Sequence, residues 1–297
     1  MRLFNLFPHK VIESIEQENE SNLVLNSGAH ILRDCSDVIL SGNAVVLESY
    51  NTTYFEVFDN AKIKMFDGGS IYEMYGKSSI GLFKTGEINL VRGKAVISTI
   101  NEAYINYLDG RAKIGTFNKG KIKFVDGRSR IATMNNGEIM YVRNNAKIGT
   151  VNHGKIVGLT DNAQIVTLNH GTIEYMLNKS YIATVNAGEI GEVCDSCEIN
   201  TLNDGTVFML MGKSLIGQKL GGKVKHKSGN GLVVFAQKKT KVKIKEDKVI
   251  EKEKKVPTKK PKIEKKTEQL SLENQISQEE FLENKEWLQE KKIEKDL

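Results

Sequence analysis

The chain has 297 residues, 39% of them hydrophobic, and a formal net charge of +6. That apolar share is low for a globular domain, so part of the chain is expected to stay outside any core. Three cysteines, odd and few, argue against a disulfide framework and suit a reducing compartment, and no apolar run approaches the ~20 residues of a membrane span.

The N-terminal stretch "MRLFNLFPHKVIESIEQ" has neither the continuous apolar segment nor the small-residue cleavage site of a signal peptide, so a cytoplasmic location is expected. Residues 1–28 read as a segment capping whatever core follows. A short apolar membrane contact through "MRLFNLF" is the lesser alternative.

From residue 29 onward a phrase recurs at every seventeenth position. "KIGTVNHGKIV" beginning at Lys147 is followed by "QIVTLNHGTIE" beginning at Gln164. A first apolar column runs Val46, Ile63, Ile80, Ile97, Ile114, Ile131, Ile148, Ile165, Ile182, Ile199, Ile216. A second, eight positions on, runs from Tyr54 and Ile71 through Ile156 and Ile190 to Val224. Two positions before the first column sits a small residue, as in Ala44, Ser78, Ala112, Ala146 and Cys197. Two before the second it is usually Gly, as in Gly86, Gly137, Gly154 and Gly205. "GAHIL", with Ala29 and Ile31 in the corresponding places, reads as one more coil with a residue deleted before Ala44.

Small-x-Ile is a two-residue alternation, which is strand chemistry, but each run is interrupted within a few residues by Gly, Asn or Asp. A glycine in nearly every unit and many β-branched residues oppose helix. Hairpins would not give one invariant period. The expected fold is therefore all-β: a single-stranded β-solenoid (parallel β-helix) over residues 29–237, with about twelve 17-residue coils, each of three short strands around a triangular section. In coil length and layout, a compact solenoid with charged tails, it resembles the short-coil β-solenoids such as the bactofilin filaments.

Two polar columns are invariant over seven coils: Thr99, Thr116, Thr133, Thr150, Thr167, Thr184, Thr201, and Asn101, Asn118, Asn135, Asn152, Asn169, Asn186, Asn203. Such an array suits a surface that orders water or a polysaccharide. The structural alternative is that stacked Asn amides bond from coil to coil at a turn, Asn-x-Gly being turn chemistry in itself. Met65 and Leu82 in the Thr column, and Asp67 and Lys84 in the Asn column, favour the structural reading.

"CDSC" (Cys194, Cys197) is half of a zinc motif, and Cys197 also fills the small-residue slot, so packing accounts for it. His153 and His170 share one outward slot on adjacent coils without an evident third ligand, and read as a solvated pair. The outward slot after each Gly holds Glu87, Tyr104, Lys121, Glu138, Lys155, Thr172, Glu189 and Thr206, a mixed surface that concentrates no chemistry. No enzyme, metal, cofactor or small-molecule substrate is expected.

Residues 238–297 break the repeat. Fourteen Lys and five acidic residues between Lys238 and Lys266 give +9, and the stretch from Thr267 to Leu297 gives −5, leaving +2 for residues 1–237. Basic character is thus assigned to a tail, expected to be disordered, and not to a folded surface. The tail offers contacts to nucleic acid or an anionic membrane. Gln269, Leu270 and Leu272 resemble part of a bacterial sliding-clamp-binding peptide. Phe281, Leu282, Trp287 and Leu288 fit a short amphipathic helix that would recruit a partner.

The expected function is a non-enzymatic scaffold or binding rod that self-associates or recruits a protein partner. A ligand-binding rod (for ice or polysaccharide) and a phage fibre or spike component are the alternatives, with a bacterial or phage source suggested by the Lys-, Asn- and Ile-rich composition.

Overall fold

The computed structural model describes residues 14–235. They form a parallel β-solenoid of about thirteen turns of roughly 17 residues. Residues 14–28, within the expected cap, supply β1 (Ser14–Glu18) and β2 (Val24–Leu25), which pair with β3 (Ala29–Arg33) and β4 (Val38–Leu40) as a first coil. Five coils follow in which one long strand bends around a corner: β5 (Val45–Val57), β6 (Lys62–Met74), β7 (Ser79–Val91), β8 (Val96–Leu108) and β9 (Lys113–Val125). From β10 (Arg130–Met134) and β11 (Glu138–Val142) to β20 (Leu215–Lys219) and β21 (Lys223–Lys227), each coil has two separate five-residue strands. β22 (Leu232–Phe235) begins another.

Each coil thus has two strand-bearing sides and a tight turn, not the three strands expected. The third side has room only for a turn, and one column forces it: residues 42, 59, 76, 93, 110, 127, 144, 161, 178, 195, 212 and 229 all have positive φ, and all are Gly, Asp or Asn. Those residues tolerate the left-handed region that others resist. Backbone pairing still runs through the turn, as in Arg111 N to Gly93 O at 2.8 Å and Arg128 N to Gly110 O at 2.7 Å.

Register between coils is strict. Ile148 lies on Ile165, Thr150 on Thr167 and Val151 on Leu168. The core is a set of like-on-like stacks: the small-residue column, both Ile columns, and a third apolar column that includes Phe66, Phe83, Ile100, Phe117 and Met134, all buried. Phe66 and Phe83 rings lie 5.2 Å apart, and the buried Tyr54 hydroxyl donates to Ser49 Oγ at 2.9 Å.

The early coil departs from the expected alignment. β3 meets β5 with a register shift after His30, so His30 and Leu32 are buried while Ile31 faces partly outward. The deletion falls opposite Leu47 inside the strand, not before Ala44. A strand slipped by one residue sends the other set of side chains inward, which is what happens here. His30 Nε2 lies 2.8 Å from Ser27 O.

From Gly137 to Gly205 the glycines before the second Ile column are buried and face inward over the coil before. A Cβ at Gly188 would lie 2.6 Å from Leu168 Cγ, 2.7 Å from Leu168 Cδ2 and 2.9 Å from Gly171 O. Gly188→Ala is expected to cost about 1–3 kcal/mol by overpacking. Denaturant unfolding reads this as a lower midpoint, whereas an unchanged midpoint would mean that the corner has slack.

Candidate functional site: the polar ladders and the turn ridge

The Asn column lies at the corner between the two strands of a coil, where its side chains lean along the solenoid axis. Asn118 Nδ2 donates to Asn101 Oδ1 at 3.0 Å, Asn135 to Asn118 at 2.7 Å and Asn152 to Asn135 at 2.8 Å. Asn169 then donates to Asn152 at 2.8 Å, Asn186 to Asn169 at 2.7 Å and Asn203 to Asn186 at 2.7 Å. Every amide inside the run is at once donor and acceptor, so one coil-to-coil chain uses one N–H and one carbonyl lone pair of each. In the earlier coils the slot holds Asp67 and Lys84, which form an ion pair of 3.0 Å in place of the amide bond. The geometry is that of the structural alternative.

The Thr column (Thr99, Thr116, Thr133, Thr150, Thr167, Thr184, Thr201) is half-buried throughout. Each Thr precedes an inward residue, as Thr150 precedes the buried Val151, which keeps the column from standing clear of the strand. Asn101, Glu102, Asn118, Lys119, Asn135, Asn136, Asn152 and His153 line a shallow open trough of about 530 Å³ beside the Asn column.

His153 and His170 stack with ring centroids 5.1 Å apart and planes 9° from parallel. Lone pairs in two parallel rings point side by side and do not converge on one ion. Among the described residues no group of three or more His, Cys, Asp and Glu is placed to hold a metal. Cys197 is fully buried in the small-residue column, with its Sγ 3.2 Å from Ser180 Oγ. Burial pushes the thiols of Cys194 and Cys197 upward, which lowers the thiolate fraction that metal binding or redox exchange would use. The expected tail contacts at Gln269, Leu270, Leu272, Phe281, Leu282, Trp287 and Leu288 lie outside the described residues.

The second strand's outer face carries aromatic stacks: Tyr107 on Phe124 at 4.8 Å, Phe124 on Tyr141 at 5.5 Å, and Phe55 on Tyr72 at 5.6 Å. Their near-parallel rings cover one another's faces, and Arg143 packs over Phe124 at 4.4 Å. Such stacks reinforce coil-to-coil adhesion.

The assignment of basic character to the tail alone needs correction. A near-neutral sum hides segregation, because coil geometry gathers Lys77, Lys94, Arg111 and Arg128 into one exposed column beside the turn, although each is a full coil from the next along the chain. The signal was present in the repeat alignment and disappeared when charge was summed over residues 1–237.

Comparison with family models, curated proteins and solved structures finds no match to this chain.

If the Asn ladder is structural, its middle should matter more than its end. Asn152→Ala removes two amide bonds and should cost about 1–3 kcal/mol; Asn203→Ala removes one and should cost about half as much. Thermal unfolding compares the two directly. Equal, negligible effects would return the column to the list of ligand surfaces.

Proposed function

We propose that the protein is a non-catalytic structural rod that associates with further copies through its terminal coils. The observation that carries this reading is the end of the solenoid. Among the described residues, β21 pairs only with β19 (Thr206–Leu210) and β22 only with β20, so each presents one unpaired strand edge. Leu220, Leu232 and Phe235 beside those edges are 58%, 55% and 66% exposed. An open parallel edge with apolar side chains is a template for another strand. Uniform coils, with ladders bonded internally from coil to coil, suit a spacer or scaffold.

Light scattering and negative-stain microscopy on the full chain test this. The expected result is defined end-to-end oligomers or filaments at micromolar concentration. Leu232→Lys with Val234→Lys places two charges at the edge and should shift the sample to single rods, with the far-ultraviolet strand spectrum unchanged. Wild-type chain that remains as single rods would end the proposal.

A further inference from the structure

The turn flanking the small-residue column forms a basic ridge along the solenoid. In each coil the residue before the small one and the residue after it both project outward, because the small residue between them (Ser78, Ala95, Ala112, Ser129 or Ala146) is fully buried. Successive rows read Lys77 with Ser79, Lys94 with Val96, Arg111 with Lys113, Arg128 with Arg130, and Asn145 with Lys147. The pairing Lys113↔Arg130↔Lys147 places three cations directly above one another. All seven charged residues of the ridge are exposed.

Several cations elsewhere on the coils have acidic partners within 4 Å. Lys84 holds Asp67, Arg92 holds Glu73, Lys121 holds Glu138, Arg143 holds Asp126 and Lys155 holds Glu174. Among the described residues none of the seven ridge cations has a carboxylate at that distance. The nearest acidic residues in sequence are engaged elsewhere: Asp109 accepts from the Gly110 amide, and Asp126 accepts from the Gly127 amide at 2.6 Å as well as from Arg143. Like charges on facing strand positions repel and destabilise the pairing. Seven unpaired cations in five adjacent coils therefore constitute a standing cost that an external anion would relieve.

We propose that this ridge binds the phosphodiester backbone of a nucleic acid. Five rows at strand spacing span roughly 20 Å and carry the seven cations in two parallel columns, about one positive charge per 3 Å of ridge length. A nucleic-acid strand presents one phosphate per ~3.4 Å of axis. The ridge is narrow as well as long. It is bounded on one side by the column Tyr75, Arg92, Asp109, Asp126 and Arg143, whose two acids and two Arg cancel, and on the other by the uncharged slots Ser98, Gly115, Ala132 and Gly149, which favours a linear polyanion over a flat anionic surface. The ridge is an array of cations spaced like backbone charge, so the expected contact is with phosphates and independent of sequence.

The test uses the full chain, whose Lys238–Lys266 segment is a competing basic element present in every sample. Binding of a fluorescent duplex of about three helical turns is followed by anisotropy between about 50 and 200 mM salt. It is compared for wild type, for Arg111→Glu/Arg128→Glu/Arg130→Glu, and for the same three positions changed to Gln. Three lost phosphate contacts should flatten the slope of log affinity against log salt by about 2.7. Affinity in the middle of that salt range should fall about tenfold or more, equally for two unrelated duplex sequences. The Gln variant should melt no lower than wild type, since it removes repulsion, and this separates lost binding from lost folding. Unchanged slopes in both variants would overturn the proposal and assign binding to the Lys-rich segment. Failure of the wild type to bind duplex would overturn it too. So would ridge-dependent binding to vesicles of mixed phosphatidylcholine and phosphatidylserine without binding to duplex.

Discussion

Everything in this molecule depends on the parallel backbone pairing of each coil with the next, which through the middle coils keeps one sequence separation, as Ile148 pairs Ile165 and Ile165 pairs Ile182. That pairing leaves each inner coil without a free edge and converts a sequence period into vertical stacks of identical side chains. A residue is selected in this fold by how well it sits on a copy of itself. Ile and Phe do so by apolar contact, Asn by passing one amide hydrogen to the carbonyl oxygen below, and Gly by leaving room for the core of the previous coil.

The same rule makes some residues unfavourable. A charged side chain repeated at strand spacing repels its copies, and the chain relieves several of these cases by alternating sign. Lys121 faces Glu138, and Lys84 faces Asp67. The ridge from Lys77 to Lys147 breaks that practice, which sets it apart from the paired positions. Its cost is tolerable because long side chains in water splay apart and salt screens them.

The ends are the other place where the rule fails, because among the described residues the last coil pairs on one side only. Toward the C-terminus the core columns decay. Lys219 stands where Leu202 stood, and Lys227 where Leu210 stood, while Val224 is only half covered. Lys on these slots shortens the apolar stacks, while Leu220, Leu232 and Phe235 remain more than half exposed and one edge of each last strand is unpaired among the described residues.

The sequence by itself determined the fold class, the coil period and the small, Ile and Gly columns, because one-dimensional periodicity becomes stacking directly in a solenoid. The turn column is an unbroken series of Gly, Asp and Asn, which permits the left-handed region without requiring it. The two-strand cross-section was not legible, since whether the short stretch between Val57 and Ala61 makes a strand or a turn depends on φ at Asp59. Nor was the inward turn of His30, which follows from a register shift against β5 that alternation alone cannot locate. The exposure of the ridge and its lack of carboxylate partners among the described residues were decided by the tertiary structure. Charges a full coil apart are remote along the chain and cancel in any sum, and they become neighbours only when the coils stack.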